Sequence, residues 1–245
     1  MYASHGYDVA MTARRADRLE ALAAALRGEF GVTVEVLPGD LAEPGAAASL
    51  ISTLKARGRV VDVLVNNAGY GVSGAYADTR WADQAAFLQV LLVAVAELTH
   101  LVLPGMLQRR YGRIVNVASL AGLMPGAAGA TLYGPTKSFL VRFSQGLWSE
   151  TRGTGVHLTA LCPGFTRSEF HDVTGTRERV ERNLPRWMWS DADAVARAGF
   201  AAVEANRPVC VPGGANRAIA ALAKALPEDW ALALMARQAN RFRKV

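Results

Sequence analysis

Two stretches of the chain are apolar almost without interruption, and they constrain the fold more than any other feature. They read VVDVLVN, ending at Asn66, and RIVNVA, ending at Ala118. A strand with one solvated face would alternate apolar and polar residues, whereas these strands carry apolar residues on both faces. The pattern indicates a parallel β-sheet that is covered by helices on both sides.

The elements predicted along the chain alternate between strands and helices. Strands are predicted at Asp8–Thr12, Val32–Leu37, Val61–Asn66, Gly112–Ala118, Val156–Leu161 and Pro208–Val211. Helices are predicted at Asp17–Gly28, Glu43–Arg57, Ala82–Gln108, Leu132–Arg152, Asp191–Asn206, Asn216–Leu226 and Glu228–Arg243. This alternation, without a repeat or a linker, predicts a doubly wound, Rossmann-like α/β fold in a single domain over residues 1–245.

The charge and cysteine content of the chain exclude some classes of function. The chain has 27 Lys and Arg against 21 Asp and Glu, which gives a net charge of +6. The arginines are scattered and no aromatic side chains are interleaved with them, so we expect no nucleic-acid partner. Two cysteines are too few for a disulfide framework, and no basic and apolar leader follows Met1. We therefore expect a cytoplasmic protein.

The longest apolar run, Phe87–Leu107, nearly has the length of a membrane span. Polar residues and a proline interrupt it at Gln89, Glu97, His100 and Pro104. We therefore expect a buried helix, or one that faces another subunit, rather than a span.

Ligands of doubly wound folds bind at the carboxyl ends of the strands, so the residues that follow each strand are the candidates for a site. These residues are Arg14, Arg15, Asp40, the NNAG stretch Asn66–Gly69, Ser119 and the PGFTRS stretch Pro163–Ser168. The histidines are scattered along the chain and form no ligand set, so no metal is expected.

The helix after Ser119 opens with YGPTK, in which Tyr133 and Lys137 lie four residues apart and share one helix face. An ammonium group beside a phenol favours the phenolate, so we expect Lys137 to lower the pKa of Tyr133. A phenol with a lowered pKa can donate or accept a proton near neutral pH. Ser119 adds a hydroxyl that can hold a substrate oxygen beside the phenol.

Four segments in this order, NNAG, GRIVNVAS, YGPTK and CPGFTRSEF, resemble the short-chain dehydrogenase/reductase family over nearly the whole chain. The resemblance implies an oxidoreductase that moves a hydride between a nicotinamide cofactor and a carbonyl or alcohol. It implies that Tyr133 exchanges the proton, that Lys137 also binds the nicotinamide ribose, and that Ser119 orients the substrate carbonyl. It also implies a homodimer or homotetramer that assembles through the long helices at Ala82–Gln108 and Leu132–Arg152.

The resemblance also implies which residues hold the cofactor. They are Asp40 and Leu41 at the adenine, Asn67, Ala68 and Gly69 along the nucleotide, Lys137 with Tyr133 at the nicotinamide ribose, and Pro163, Gly164, Thr166 and Ser168 at the nicotinamide and diphosphate. Arg14 and Arg15 follow the strand that faces the adenosine ribose. An acidic residue there would bind the 2′-hydroxyl of NAD, whereas an arginine suits a 2′-phosphate. We therefore expect NADP(H) rather than NAD(H).

Two features depart from the family pattern. The family begins with a strand and a glycine-rich turn that receives the pyrophosphate, whereas Tyr2–Gly6 match the end of the helix after that turn. About twenty residues of a family-like front are missing, and we expect Met1 to be an internal methionine and this chain to bind NADP(H) weakly. The fourth catalytic position of the family, usually an Asn that holds a water beside the lysine, falls at Leu91.

Apolar side chains near the expected cleft predict a hydrophobic carbonyl or secondary alcohol as the substrate. They are Phe165, Phe170, Trp187, Met188 and Trp189, with Leu123 and Met124 opposite, and His171 is a candidate substrate contact.

Two alternative functions stay open. One is a non-catalytic or cofactor-deficient binding protein, because the phosphate-binding turn and the catalytic Asn are missing. The other is a protein whose basic C-terminal helix, Glu228–Arg243, lies on an anionic membrane surface.

Overall fold

The computed structural model describes residues 1–126, 128–170, 178, 180, 182 and 185–233. The chain divides into two compact units, Met1–Val60 and Val61–Val245, and each unit is described by itself. The expectation of a single domain over residues 1–245 stays a prediction.

The first unit is a pair of parallel strands with two helices. A short 3-10 turn, Ala3–His5, ends at Gly6, which has a left-handed φ of 81° and whose N–H donates to the carbonyl oxygen of Ala3. This confirms the predicted helix C-cap at Gly6. Strand β1 (Val9–Met11) pairs in parallel with β2 (Val34–Val36). The helices are α1 (Ala16–Phe30) and α2 (Ala46–Ala56).

The second unit contains a four-stranded parallel sheet. Its strands are β3 (Val63–Asn66), β4 (Gly112–Val117), β5 (Val156–Leu161) and β8 (Val209–Cys210), in the order β3-β4-β5-β8. The register places Asn66 directly opposite Asn116. Two short strands, β6 (Thr166–Arg167) and β7 (Ser190–Asp191), form a separate parallel pair. The helices of this unit are α3 (Trp81–Leu88), α4 (Ala94–Arg109), α5 (Tyr133–Glu150), α6 (Ala192–Glu204) and α7 (Gly214–Ala225).

The sheet of the second unit is covered on both faces. Ala160 of β5 belongs to a buried cluster with Leu140 and Val141 of α5. The next residue, Leu161, belongs to a different cluster with Val195 and Val203 of α6. Successive side chains of a strand point to opposite faces, so helices pack on both sides of β5. The predicted Rossmann-like arrangement of a parallel sheet between helices is confirmed.

A π-helical turn, Gln89–Val93, joins α3 and α4 into one helical stretch, Trp81–Arg109. This stretch is long and apolar enough to cross a membrane, and 44% of its most apolar window is buried in the structure. Leu91 is 1% exposed, whereas Val93 is 48% exposed. The helix therefore has one face in the core of the unit and another apolar face at the surface.

The predicted elements agree with the observed ones in type and order, while several ends differ. The helix predicted at Glu43–Arg57 is shorter, Ala46–Ala56, and the strand predicted at Pro208–Val211 covers Val209–Cys210. Strands β6 and β7 lie in a stretch that the sequence pattern left irregular. His171 and residues 234–245, which include the basic end of the predicted C-terminal helix, lie outside the described residues.

Candidate active site

The residues predicted for catalysis come together at the start of α5. Ser119 follows β4 and caps a short 3-10 turn, Leu120–Leu123, with its Oγ accepting a hydrogen bond from the N–H of Ala121. The same hydroxyl lies near the phenol of Tyr133 in the first turn of α5, close enough to lower the pKa of that phenol. Lys137 lies one turn further on, with Nζ 5.7 Å from the centre of the Tyr133 ring. The spacing of four residues therefore produces the shared face that was predicted.

A glycine allows the serine turn to lie this close to α5. A Cβ on Gly122 would lie 2.5 Å from the carbonyl carbon of Lys137 and 2.6 Å from its oxygen. Any side chain at this position would collide with the helix backbone, so Gly122 brings Ser119 within reach of Tyr133. This requirement could not be recognised in the sequence, because it arises between segments that are distant along the chain.

The lysine is held in a largely apolar position. Lys137 is 5% exposed, and its Nζ donates a hydrogen bond of 2.7 Å to the backbone carbonyl of Val117. Burial lowers the pKa of Lys137 to about 8, and the neighbouring Cys162 acts weakly in the opposite direction. A buried ammonium costs free energy, so the fraction of charged lysine at neutral pH depends on the few polar groups near Nζ.

Burial also controls the tyrosine. It raises the pKa of the Tyr133 phenol, and the Ser119 hydroxyl opposes this rise without reversing it. The expectation that Lys137 lowers the pKa of Tyr133 is therefore wrong for this structure. The physical reason is that desolvation of the phenolate dominates and the Ser119 hydroxyl is the group that opposes it. Nζ of Lys137 lies 5.7 Å from the centre of the ring and donates its hydrogen bond to the Val117 carbonyl.

Leu91 lies beside the lysine, at the position where the family pattern places an Asn. A Cβ on Gly69 would lie 3.7 Å from Cγ of Leu91 and 3.8 Å from Nζ of Lys137, so these two side chains border the same small space. Leu91 belongs to the π-helical turn and cannot form a hydrogen bond. On this side the ammonium group therefore meets a hydrocarbon surface.

The candidate cofactor residues of the second unit occupy two loops. Asn67, Ala68 and Gly69 are exposed in the turn that follows β3. The loop after β5 is well ordered by hydrogen bonds, since the carbonyl of Pro163 accepts from the N–H of Leu120 at 2.8 Å. In the same loop the hydroxyl of Thr166 donates to the carbonyl of Gly164 at 3.1 Å. Ser168 accepts a hydrogen bond from the N–H of Phe170.

The candidate cofactor residues of the first unit form a separate group. Arg14 and Arg15 follow β1 and are exposed. Asp40, after β2, lies 4.0 Å from Nη1 of Arg14 and accepts a hydrogen bond from the N–H of Ala42. Leu41 is half-buried beside it. Two exposed guanidinium groups are the donors that a phosphate group prefers, so this set fits the 2′-phosphate of NADP.

A buried chain of hydrogen bonds supports the site, and the sequence analysis did not identify it. Nδ2 of Asn66 donates to Oδ1 of Asn116 at 2.8 Å, and Nδ2 of Asn116 donates to Oγ of Ser144 at 2.9 Å. Ser144 in turn donates to the carbonyl of Leu140 at 2.7 Å, and Nδ2 of Asn66 lies 3.4 Å from Oγ1 of Thr99. The chain joins the ends of β3 and β4 to α5, which carries Tyr133 and Lys137.

One aromatic ring lies beside the candidate catalytic residue Tyr133, and two others pair with each other. The ring of Phe170 lies 5.8 Å from that of Tyr133, and the ring of Phe165 lies 5.9 Å from that of Trp189. Trp187 is 67% exposed. The structure thus places Phe170 beside the reactive phenol, whereas it leaves Trp187 largely in solvent. Within the described residues, no group of three or more His, Cys, Asp and Glu side chains is arranged to hold a metal ion.

Comparisons with known proteins identify the family. Residues 1–179 match the family model described as short chain dehydrogenase. The serine 3-dehydrogenase of Agrobacterium fabrum is 36% identical over 185 residues, which cover 75% of this chain and 72% of the relative. The chain therefore belongs to the short-chain dehydrogenase family, and the predicted class, an NAD(P)-dependent oxidoreductase, is confirmed.

Solved structures agree with this family. A short-chain dehydrogenase from Sphingobium yanoikuyae in complex with NADPH is 30% identical, with a TM-score of 0.78 over 93% of this chain and 89% of that one. A bulky-bulky ketone specific alcohol dehydrogenase from Comamonas testosteroni is 27% identical, with a TM-score of 0.74 over 100% of this chain and 87% of that one.

Replacing Leu91 tests the environment of the lysine. In Leu91→Asn a polar amide would lie beside Nζ of Lys137, favour the charged ammonium, and raise the pKa of Lys137 above about 8. Lys137 is charged below its pKa, so any loss of ketone reduction on the alkaline side should begin at a higher pH in this variant. The rate should also rise if proton supply is limiting.

This effect is measured from the reduction rate between about pH 6 and about pH 10. The range covers about two pH units on either side of the lysine pKa. Leu91→Met is the matched control, because it keeps an apolar side chain of similar volume and should leave the profile unchanged. An Asn variant with the same alkaline limb as the wild type would show that Lys137 does not titrate in this range.

Proposed function

We propose that this protein transfers a hydride between NADP(H) and a hydrophobic ketone or secondary alcohol, with Ser119, Tyr133 and Lys137 as its catalytic residues. The observation that carries the proposal is the convergence of three side chains: the Ser119 hydroxyl is near enough to the Tyr133 phenol to affect its pKa, and Lys137 is buried one helical turn away with Nζ 5.7 Å from the centre of the Tyr133 ring. A hydroxyl and a phenol that share one small space can both contact the oxygen of a carbonyl.

Each residue has a distinct task in this proposal. Tyr133 donates its phenolic proton to the carbonyl oxygen during reduction, or accepts the alcohol proton during oxidation. The phenol is protonated at neutral pH and is therefore able to donate, but burial raises its pKa and so makes it a weaker acid than a free phenol. Ser119 orients the carbonyl toward the phenol. Lys137, tied to the Val117 carbonyl, holds the ribose side of the cofactor and supplies positive charge below its pKa.

The cofactor supplies or accepts the hydride, so the protein provides binding and orientation. Arg14 and Arg15 would hold the 2′-phosphate of NADP(H), and Asp40 and Leu41 the adenine. The turn Asn67–Gly69 and the loop residues Pro163, Gly164, Thr166 and Ser168 would hold the remaining nucleotide. The preference for NADP(H) is supported by relatives that are named NADP-dependent and by the Sphingobium yanoikuyae structure with NADPH.

The proposed substrate is apolar because Phe170 packs beside the Tyr133 phenol, and Phe165 of the same loop pairs with Trp189, which precedes β7. The Comamonas testosteroni enzyme, named for bulky-bulky ketones, supports this substrate class. The Agrobacterium fabrum relative is named for serine, a polar substrate, so the class cannot come from similarity alone. The proposal of an apolar substrate therefore rests on the aromatic side chains of this protein.

Replacing the phenol tests the catalytic assignment. Tyr133→Phe should lower the rate of ketone reduction by about 100-fold or more, since it removes the proton donor. NADPH binding should change little, because the ring and Lys137 remain in place. Turnover is followed by NADPH absorbance, and cofactor binding by NADPH fluorescence. Tyr111→Phe, which removes a phenol outside the site, is the control, and wild-type turnover in Tyr133→Phe would refute the assignment.

The choice of cofactor depends on Arg14 and Arg15. Replacing both by Gln should remove a preference for NADPH worth roughly 1.5–3 kcal/mol for each charge-assisted hydrogen bond. Calorimetric titration with NADPH and with NADH measures the preference. Arg18→Gln, on the following helix, removes one charge as a control and should leave the preference intact. Equal affinity of the wild type for the two cofactors would contradict this proposal.

We also propose that the protein is a homo-oligomer. A surface groove of about 510 Å³ is lined by Leu92, Val93, Ala96, Glu97, His100 and Phe139, which come from the Trp81–Arg109 stretch and α5. Phe139 is 40% exposed and stacks on Phe143 with ring centres 5.5 Å apart. An exposed apolar face of this kind on two long helices is typical of a subunit contact.

Charges in the groove should prevent assembly. Val93→Asp combined with Phe139→Asp should give a monomer in sedimentation velocity experiments, since two buried carboxylates in a symmetric contact would lack partners. Leu22→Asp is the control, because Leu22 is also exposed, at 49%, but lies on α1 of the other unit. A wild-type protein that sediments as a monomer would contradict the proposed assembly.

A non-catalytic binding protein is the second candidate. The observation that favours it is the apolar side chain of Leu91 beside Lys137, where the family pattern has an Asn. This candidate predicts that the wild type turns over no ketone and binds NADPH weakly or not at all, so the wild-type measurements that accompany Tyr133→Phe distinguish the two. The cytoplasmic location and the membrane role of the C-terminal helix remain predictions.

A further inference from the structure

Asn216 is a buried polar residue at the start of α7 that the proposed mechanism does not use. It is 6% exposed, and its Nδ2 donates a hydrogen bond of 2.8 Å to the carbonyl of Pro212. A buried amide with a fixed partner keeps one orientation, because losing the hydrogen bond would leave a polar group unsatisfied. Asn216 is therefore a rigid part of this region.

The amide of Asn216 lies directly against Gly164. A Cβ on Gly164 would lie 2.5 Å from Oδ1 of Asn216 and 2.8 Å from its Nδ2. These distances are far shorter than a van der Waals contact, so the side chain at 216 fills the space that a side chain at 164 would need. The backbone of Gly164 is thus packed against an amide that is itself held by Pro212.

The turn that contains Gly164 is fixed by two further hydrogen bonds. The carbonyl of Pro163 is bound by the N–H of Leu120, next to the catalytic candidate Ser119. The carbonyl of Gly164 is bound by the hydroxyl of Thr166. These bonds hold the carbonyl groups of the turn, whereas Asn216 packs against the Cα of Gly164 and limits its movement toward α7.

We propose that Asn216 is a positioning residue that fixes the Pro163–Gly164 turn against the nicotinamide side of the cofactor. The inference rests on the proposed function, in which this turn contacts the cofactor. This arrangement requires a glycine at position 164, which leaves space for the amide, and at position 216 a side chain whose amide is held in place. Without Asn216 the turn could shift toward α7, and a small displacement of a cofactor contact lowers affinity.

A double-mutant cycle tests the pair Gly164 and Asn216. Asn216→Ala should weaken NADPH binding by about tenfold, since the turn loses its packing partner. Gly164→Ala should weaken binding and lower the melting temperature, because its Cβ meets the Asn216 amide. In the double variant the amide is gone, so part of the affinity and of the melting temperature lost in Gly164→Ala should return. Relief of the clash alone would restore the melting temperature, so the readout that separates a positioning role from a merely structural one is the NADPH affinity of Asn216→Ala itself, measured where the variant is fully folded.

The control cycle pairs Asn216→Ala with Gly146→Ala. A Cβ on Gly146 would meet nothing within 4 Å, so these two substitutions should act additively. Two outcomes would contradict the inference for a wild type that binds NADPH. One is that the effects of the Gly164 and Asn216 substitutions on NADPH affinity are also additive. The other is that Asn216→Ala binds NADPH as tightly as the wild type. If the wild type binds no NADPH, the proposed function fails first, and the inference fails with it.

Discussion

The candidate site depends on the buried hydrogen-bond chain from Asn66 through Asn116 to Ser144. These three side chains are between 0% and 7% exposed, so each amide or hydroxyl that lost its partner would cost about 1–3 kcal/mol. The chain ties the ends of β3 and β4 to α5. Those strand ends lead into the Asn67–Gly69 turn and to Ser119, and α5 carries Tyr133 and Lys137. One network therefore sets the relative positions of all these candidates.

Burial then sets the protonation of the reactive groups. It raises the pKa of Tyr133 and lowers the pKa of Lys137 to about 8, so both shifts favour the neutral form. The Val117 carbonyl and the Ser119 hydroxyl provide the polar contacts that oppose this effect. Leu91 adds none. Around the buried Lys137, single hydrogen bonds therefore have a large influence on charge.

The sequence was sufficient to predict the parallel sheet, and RIVNVA is buried at nearly every position, as its apolar run indicates. The expectation was wrong for VVDVLVN, because Val65 of β3 is 42% exposed and Asn66 is the buried residue of that strand. The sheet is nevertheless covered on both faces at β5, as the clusters around Ala160 and Leu161 show. The sequence was also sufficient to bring Ser119, Tyr133 and Lys137 together, since a spacing of four on a helix and a strand end define their places. The direction of the tyrosine pKa was not predictable, because desolvation depends on packing from distant segments. The close approach of Gly122 to Lys137 and of Gly164 to Asn216 left no local signal for the same reason.

The central claim, hydride transfer from NADP(H) to an apolar ketone, is tested most directly by isotope transfer. The wild-type protein would be incubated with NADPH that carries deuterium at both C4 positions of the nicotinamide, together with apolar ketones of increasing size. Mass spectrometry of the alcohol products should find deuterium on the carbinol carbon, with faster transfer from NADPH than from NADH. A protein that binds NADPH and yet transfers deuterium to none of these ketones would contradict the account.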